Sequence, residues 1–142
     1  MIGYDGDLRM SVELDGVSVI GYVAESVADS ECAYLGTDRT VDRKGLGRTP
    51  LLVAMDVPGT RMRVAKDYGD LELGGYVSKA AVVAGSARID ATAIVQMNCL
   101  ISERASLGPN TKINIGVRLH HHATVGAHSV MPGASRSRRT SS

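Results

Sequence analysis

The sequence predicts a mainly β protein: about three coils of short parallel strands stacked as a triangular prism, preceded by a small α/β unit. Three observations carry this reading. Every sixth residue from Val83 is aliphatic: Val83, Ile89, Val95, Ile101, Leu107, Ile113, Leu119, Val125 and Met131. Four residues after each comes a small or β-branched one: Ala87, Ala93, Cys99, Ala105, Thr111, Val117, Ala123, Ser129 and Ser135. The chain has no Phe or Trp, and its five tyrosines all precede residue 77. A period of six fits neither the helical 3.6 nor the strand 2.0. It fits a solenoid with six residues on each of three faces, the aliphatic residue pointing inward and the small one near a corner. Like residues then stack at i, i+18, about 4.8 Å apart. So narrow an interior has no room for tall aromatic rings.

The first half reads differently. Residues 17–23 (VSVIGYV) alternate and are β-branched, which predicts a strand. Residues 51–55 (LLVAM) predict a second, buried strand, and the Gly-, Asp- and Arg-rich stretch between them a loop. Pro58-Gly59 opens a helix to about Tyr68, with Gly69 as its stop. Residues 71–77 (LELGGYV) predict a third strand leading into the coils. Gly45 and Gly47 read as an ordinary turn. The expected organisation is a small α/β unit over 1–77, the repeat over 78–135, and a polar tail over 136–142 that is expected to be disordered.

Composition narrows the function. The 142 residues carry a formal net charge of +1, so bulk nucleic-acid binding is not expected. The charge is unevenly placed: residues 1–80 sum to −4 and residues 81–142 to +5. A basic second half suits a small anionic ligand. No apolar run approaches the roughly 18 residues of a membrane helix. No secretion signal is visible, and Cys32 and Cys99 lack metal-ligand spacing, so a cytoplasmic location with reduced thiols is expected. Cys99 falls in the small-residue slot and reads as a packing thiol.

The repeat resembles the hexapeptide of the left-handed parallel β-helix acyltransferases, and the left hand comes from that resemblance alone. The segments GVSVIGYVAES, LLVAMDVPGTRMRVA and INIGVRLHHHATVGAHSVMPGA resemble, in order and spacing, the bacterial sugar acetyltransferases that O-acetylate sialic acid or N-acetylate UDP-4-amino-sugars. The resemblance implies a Rossmann-like first unit, a homotrimer with sites between adjacent prisms, acetyl-coenzyme A as acyl donor, and a sugar or nucleotide-sugar acceptor. It departs at the start. The family opens with a strand and a glycine-rich turn that offers backbone N–H groups to phosphate. Here MIGYDGDLRM sets Asp5 and Asp7 around Gly3 and Gly6, so the first strand is expected to be missing and the unit incomplete.

The resemblance also assigns the site. His121 falls on the family's general base, which takes a proton from the acceptor amine or hydroxyl; a His suits that task because its pKa lies near working pH. His122 stands where a carboxylate belongs. Glu103, one coil earlier at i−18, is the expected substitute. Asn114, His120 and His122 are candidates for substrate binding, and Arg118 and Gly133 for coenzyme A. No metal is expected. Further on, Val130 stands where a second His belongs, and SRSRR where a glycine backbone N–H serves the oxyanion. Two other readings stay open: a shortened, inactive homolog acting as a trimeric scaffold, and a zinc site like that of the gamma-class carbonic anhydrases. Adjacent histidines project in different directions, which disfavours the second.

Overall fold

The computed structural model describes residues 1–133. The expected disorder of residues 136–142 concerns residues outside that range.

The repeat forms ten two-residue strands. They are β1 (Tyr76–Val77), β2 (Val82–Val83), β3 (Arg88–Ile89), β4 (Ile94–Val95), β5 (Leu100–Ile101), β6 (Ser106–Leu107), β7 (Lys112–Ile113), β8 (Arg118–Leu119), β9 (Thr124–Val125) and β10 (Val130–Met131). They stack into three parallel sheets, β1-β4-β7-β10, β2-β5-β8 and β3-β6-β9. The register is the predicted i, i+18: Val83 pairs with Ile101 and Ile101 with Leu119. This is a parallel β-solenoid of about three turns, consistent with a left-handed β-helix. Its core holds Val95, Ile101, Leu107, Ile113, Leu119 and Val125, with Ala93, Cys99 and Ala105 near the corners. Burial falls away at the ends: Val83, Ile89 and Met131 are only partly covered.

From the second coil on, each corner turns the chain between faces through one residue in the left-handed region. Asn98, Arg104, Asn110, Gly116, His122 and His128 take positive φ, between 55° and 78°. They too recur every six residues. Gly enters this left-handed region freely and Asn and His more readily than most residues, whereas Arg does so at a cost of about 1 kcal/mol or more.

The first unit holds three helices: α1 (Gly6–Leu14), α2 (Arg43–Leu46) and α3 (Pro58–Asp67). Around them runs a minimal parallel sheet made of single bridges. Ile2 pairs with Val23 and Val53, Tyr22 with Tyr34, and Leu51 with Leu73. In chain order these segments lie 3-2-1-4-5, the doubly wound order of a Rossmann-like sheet. The expectation that the first strand is missing is therefore corrected. Ile2 occupies the central position and is 1% exposed. The following turn, Gly3 at φ +82°, leads into α1, whose N-cap Asp5 accepts the N–H groups of Asp7 and Leu8.

The helix at Pro58 forms as predicted, whereas α1 and α2 fall where the sequence patterns predict none. Helix α1 packs Leu8 and Val12 with Ala54 against Ile94 on the outer face of the solenoid. Arg61 of α3 is fully buried and ties the two units together. Its guanidinium donates to the carbonyl (3.0 Å) and side-chain oxygen (2.8 Å) of Asn110 and to the carbonyl of Met55 (2.9 Å). Burial lowers its pKa to about 10, so it stays charged at neutral pH.

Candidate functional site

The histidine run lies at the corner between the second and third faces, just after β8. His120, His121 and His122 are all exposed. His121 and His122 meet edge to face at 5.2 Å between ring centroids, with their Nδ1 atoms 2.9 Å apart. One Nδ1 donates and the other accepts. When His121 donates, its Nε2 is a free lone pair facing solvent, the form a general base needs. The left-handed turn at His122 (φ 63°) swings the two neighbouring rings into this contact.

Glu103 does stack beneath this corner, but through its backbone. Its carbonyl accepts the N–H of His122 at 3.0 Å. Among the described residues no hydrogen bond or ion pair joins its carboxylate to His121. The group that orients His121 is His122. An imidazole can fix the tautomer as a carboxylate does, yet it brings no negative charge to steady the imidazolium.

Asn114 sits at a different corner, between the first and second faces, within a network that periodicity does not reveal. Lys112 on β7 is fully buried. Its Nζ donates to Asp5 (2.5 Å), Asp56 (2.7 Å) and Asn114 Oδ1 (2.7 Å). Asn114 Oδ1 also accepts from Gln96 at 2.8 Å, and its Nδ2 donates to Asp56 at 3.0 Å. Burial raises the Asp56 carboxyl, but the hydrogen bonds from Lys112 and Asn114 outweigh it and hold the pKa below the usual carboxylate value. Lys112 points outward from the repeat, where the inward six-residue pattern carries no signal. Its partner Asp5 is 107 residues away in sequence.

This network has a particular place in the first unit. Asp5 follows the segment of Ile2, and Asp56 follows that of Val53, so both lie beyond the carboxyl ends of the two segments where the sheet order reverses. Ligands of doubly wound sheets bind at such a crevice. Here the crevice receives Lys112 and Asn114 from the solenoid. The N–H groups of α1 that would meet a phosphate are already taken by the Asp5 carboxylate.

The remaining candidates are spread out. Arg118 is exposed on β8, between the two corners, and Gly133 is exposed one coil above Ile115, whose carbonyl lies 3.3 Å from where a Cβ would sit. One chain thus groups His120, His121, His122 and Glu103 at one corner and Asn114 with Gly133 at another. Cys99 is buried, its Sγ within 3.0 Å of the Asn114 carbonyl, and burial pushes its thiol pKa up, as befits a packing residue. Among the described residues no group of three or more His, Cys, Asp or Glu is placed to hold a metal ion, and no helix is long and apolar enough to cross a membrane.

No protein-family model and no curated protein sequence matches the chain. Solved structures do. A variant of GDP-perosamine N-acetyltransferase from Caulobacter crescentus, in complex with coenzyme A and GDP-perosamine, is similar with a TM-score of 0.80 at 22% identity, over 91% of this chain. The acetyltransferase domain of PglB from Neisseria gonorrhoeae, in complex with acetyl coenzyme A, is similar with a TM-score of 0.72 at 16% identity, over 91% of this chain and 67% of that one. The chain spans 65% of the length of the Caulobacter protein. These hexapeptide-repeat β-helix acetyltransferases share its fold; a specific kinship with sialic-acid O-acetyltransferases is not part of that result.

Proposed function

We propose that this chain is an acyl-coenzyme A-dependent acetyltransferase that acts on an amine or hydroxyl of a sugar or nucleotide sugar. The observation that carries the reading is the exposed His121–His122 pair, on a solenoid whose structural neighbours include a GDP-perosamine N-acetyltransferase in complex with coenzyme A and an acetyltransferase domain in complex with acetyl coenzyme A. In this reading His121 Nε2 takes the proton from the acceptor, and His122 Nδ1 accepts from His121 Nδ1 to hold that tautomer. His120 lines the acceptor approach. Asn114 keeps one amide N–H beyond its bond to Asp56, which is available to an acceptor. Acetyl-coenzyme A supplies the electrophilic thioester carbonyl. Arg118, exposed and without a carboxylate partner among the described residues, suits a phosphate of the donor, and Gly133 leaves room for backbone contact. Assembly as a homotrimer is supported by apolar side chains that face outward on the second sheet: Val82 is 66% exposed, and Leu100 stacks above it. We place the protein in the cytoplasm, where acetyl-coenzyme A is made.

One observation favours a second reading, the inactive trimeric scaffold. The crevice of the first unit is filled by ion pairs that Lys112 of the solenoid makes with Asp5 and Asp56. Native mass spectrometry with and without acetyl-coenzyme A separates the two. A trimer that gains up to three donor masses supports the enzyme; a trimer that gains none supports the scaffold. A zinc mass that survives buffer exchange would revive the carbonic anhydrase-like reading.

A further inference from the structure

On the third face, one coil below the histidine corner, lies a concavity of about 440 Å³ lined by Ser86, Arg88, Arg104 and Ser106. The stacking builds it. Arg88 on β3 pairs in register with Ser106 on β6, so a guanidinium and a hydroxyl share one ladder. Arg104 is at the corner, where its N–H donates to Ser86 Oγ at 3.0 Å and its positive φ of 56° turns the residue at the rim. Arg88 and Arg104 thus line one hollow, one from the strand and one from the corner. Among the described residues neither makes an ion pair, whereas Arg9, Arg43 and Lys112 all do. Gly85, at the foot of the same corner column, has nothing within 4 Å of where a Cβ would sit, which keeps the approach open. Directly above stands the candidate catalytic corner: the residue before Arg104 accepts the N–H of His122, and Ser106 pairs with Thr124.

We propose that this concavity is a phosphoryl-binding pocket, in which Arg88 and Arg104 hold a phosphate of the ligand that reaches the His121–His122 corner. Two forked guanidiniums match the geometry of phosphate oxygens, and the serine hydroxyls supply neutral donors beside them. The site also complements the first unit, where Asp5 already occupies the helix N-terminus that would take a phosphate. The phosphate has two sources open to it, the acyl donor and a nucleoside diphosphate carrying the acceptor sugar; the chemistry of recognition is the same. That the ligand takes part in acetyl transfer rests on the proposed function; anion binding by the pocket does not.

The test is a titration of the full chain with inorganic pyrophosphate, followed by amide NMR shifts. Saturable shifts centred on Ser86, Arg88, Arg104 and Ser106, weakening as salt rises, are expected. Arg88→Gln and Arg104→Gln should each weaken binding about three- to tenfold, with the His121 and His122 resonances in place to report an intact fold. No saturable shift at these residues, or undiminished binding in the double variant, overturns the pocket. Competition then distinguishes the sources: displacement of pyrophosphate by coenzyme A assigns the donor, and displacement by a nucleoside diphosphate sugar assigns the acceptor. Displacement by neither overturns the link to acetyl transfer while the anion site stands, so the two failures are told apart.

Discussion

His122 is the residue on which the proposed chemistry turns. It holds a left-handed corner, and its Nδ1 lies 2.9 Å from that of His121. Two substitutions separate these roles. Asp tolerates the left-handed region, so His122→Asp should keep the turn while supplying the missing charge to the imidazolium. We expect it to raise kcat for acetyl transfer over the parent chain, with KM for the donor unchanged. His122→Ala should lower kcat, because nothing then holds the His121 tautomer. Equal kcat in all three proteins would show that His122 does not orient the base. Sequence alone could place His121 by resemblance, and could place Glu103 one coil below it. It could not show that the Glu103 backbone, not its carboxylate, meets the corner, because a stacking register fixes Cα positions and leaves the side-chain direction free.

At the scale of elements, the contrast between the two halves explains what was legible. The solenoid repeats one six-residue rule, and the inward positions away from its ends are buried for the same local reason, so strands, register and core all follow from it. The same rule marks the corners every sixth residue, and Asn98, Asn110 and Gly116 advertise them; Arg104, His122 and His128 hide the pattern. Helix α1 had a signal as well: Asp5 as N-cap, Asp7 in the first turn, and Leu8 with Val12 one turn apart. So little of its surface is apolar that the stripe does not stand out. Lys112 illustrates what no local pattern shows, since its meaning lies in carboxylates far along the chain. Lys112→Met should destabilise the protein by about 3 kcal/mol, at the low end of the range for a broken buried pair because Asp56 is half-exposed. Denaturant titration measures this, and a change below about 0.5 kcal/mol would mean that the junction is held by packing alone. Within the coils, Ile101→Ala should cost about 2–5 kcal/mol, since the residue is fully buried between two other coils.

For the whole molecule, stability against pH reports on the junction between the two units. The Asp56 carboxyl is held low by Lys112 and Asn114, and that of Asp15 by the hydroxyl of Tyr76 and the N–H of Lys79. Both carboxyls therefore bind protons less readily when folded than when unfolded, where the Asp pKa is about 3.9. Their contribution is complete above that value and is lost as pH falls through the lower folded pKa. The thermal midpoint should be level from neutral pH to about pH 5 and fall below about pH 4, less steeply in Asp56→Asn. An equal fall in that variant would assign the acid sensitivity elsewhere.

The proposal that this solenoid transfers acetyl groups with His121 as base is tested most directly by thiol release from acetyl-coenzyme A, in the presence of nucleotide-linked amino sugars, by the parent chain and by His121→Ala. Release that requires the acceptor, and that falls by about 10²–10⁴ in the variant, is the result expected of a general base. Release by the parent chain that His121→Ala leaves intact would contradict the role of His121, and no acceptor-dependent release by the parent chain would contradict the enzyme reading itself.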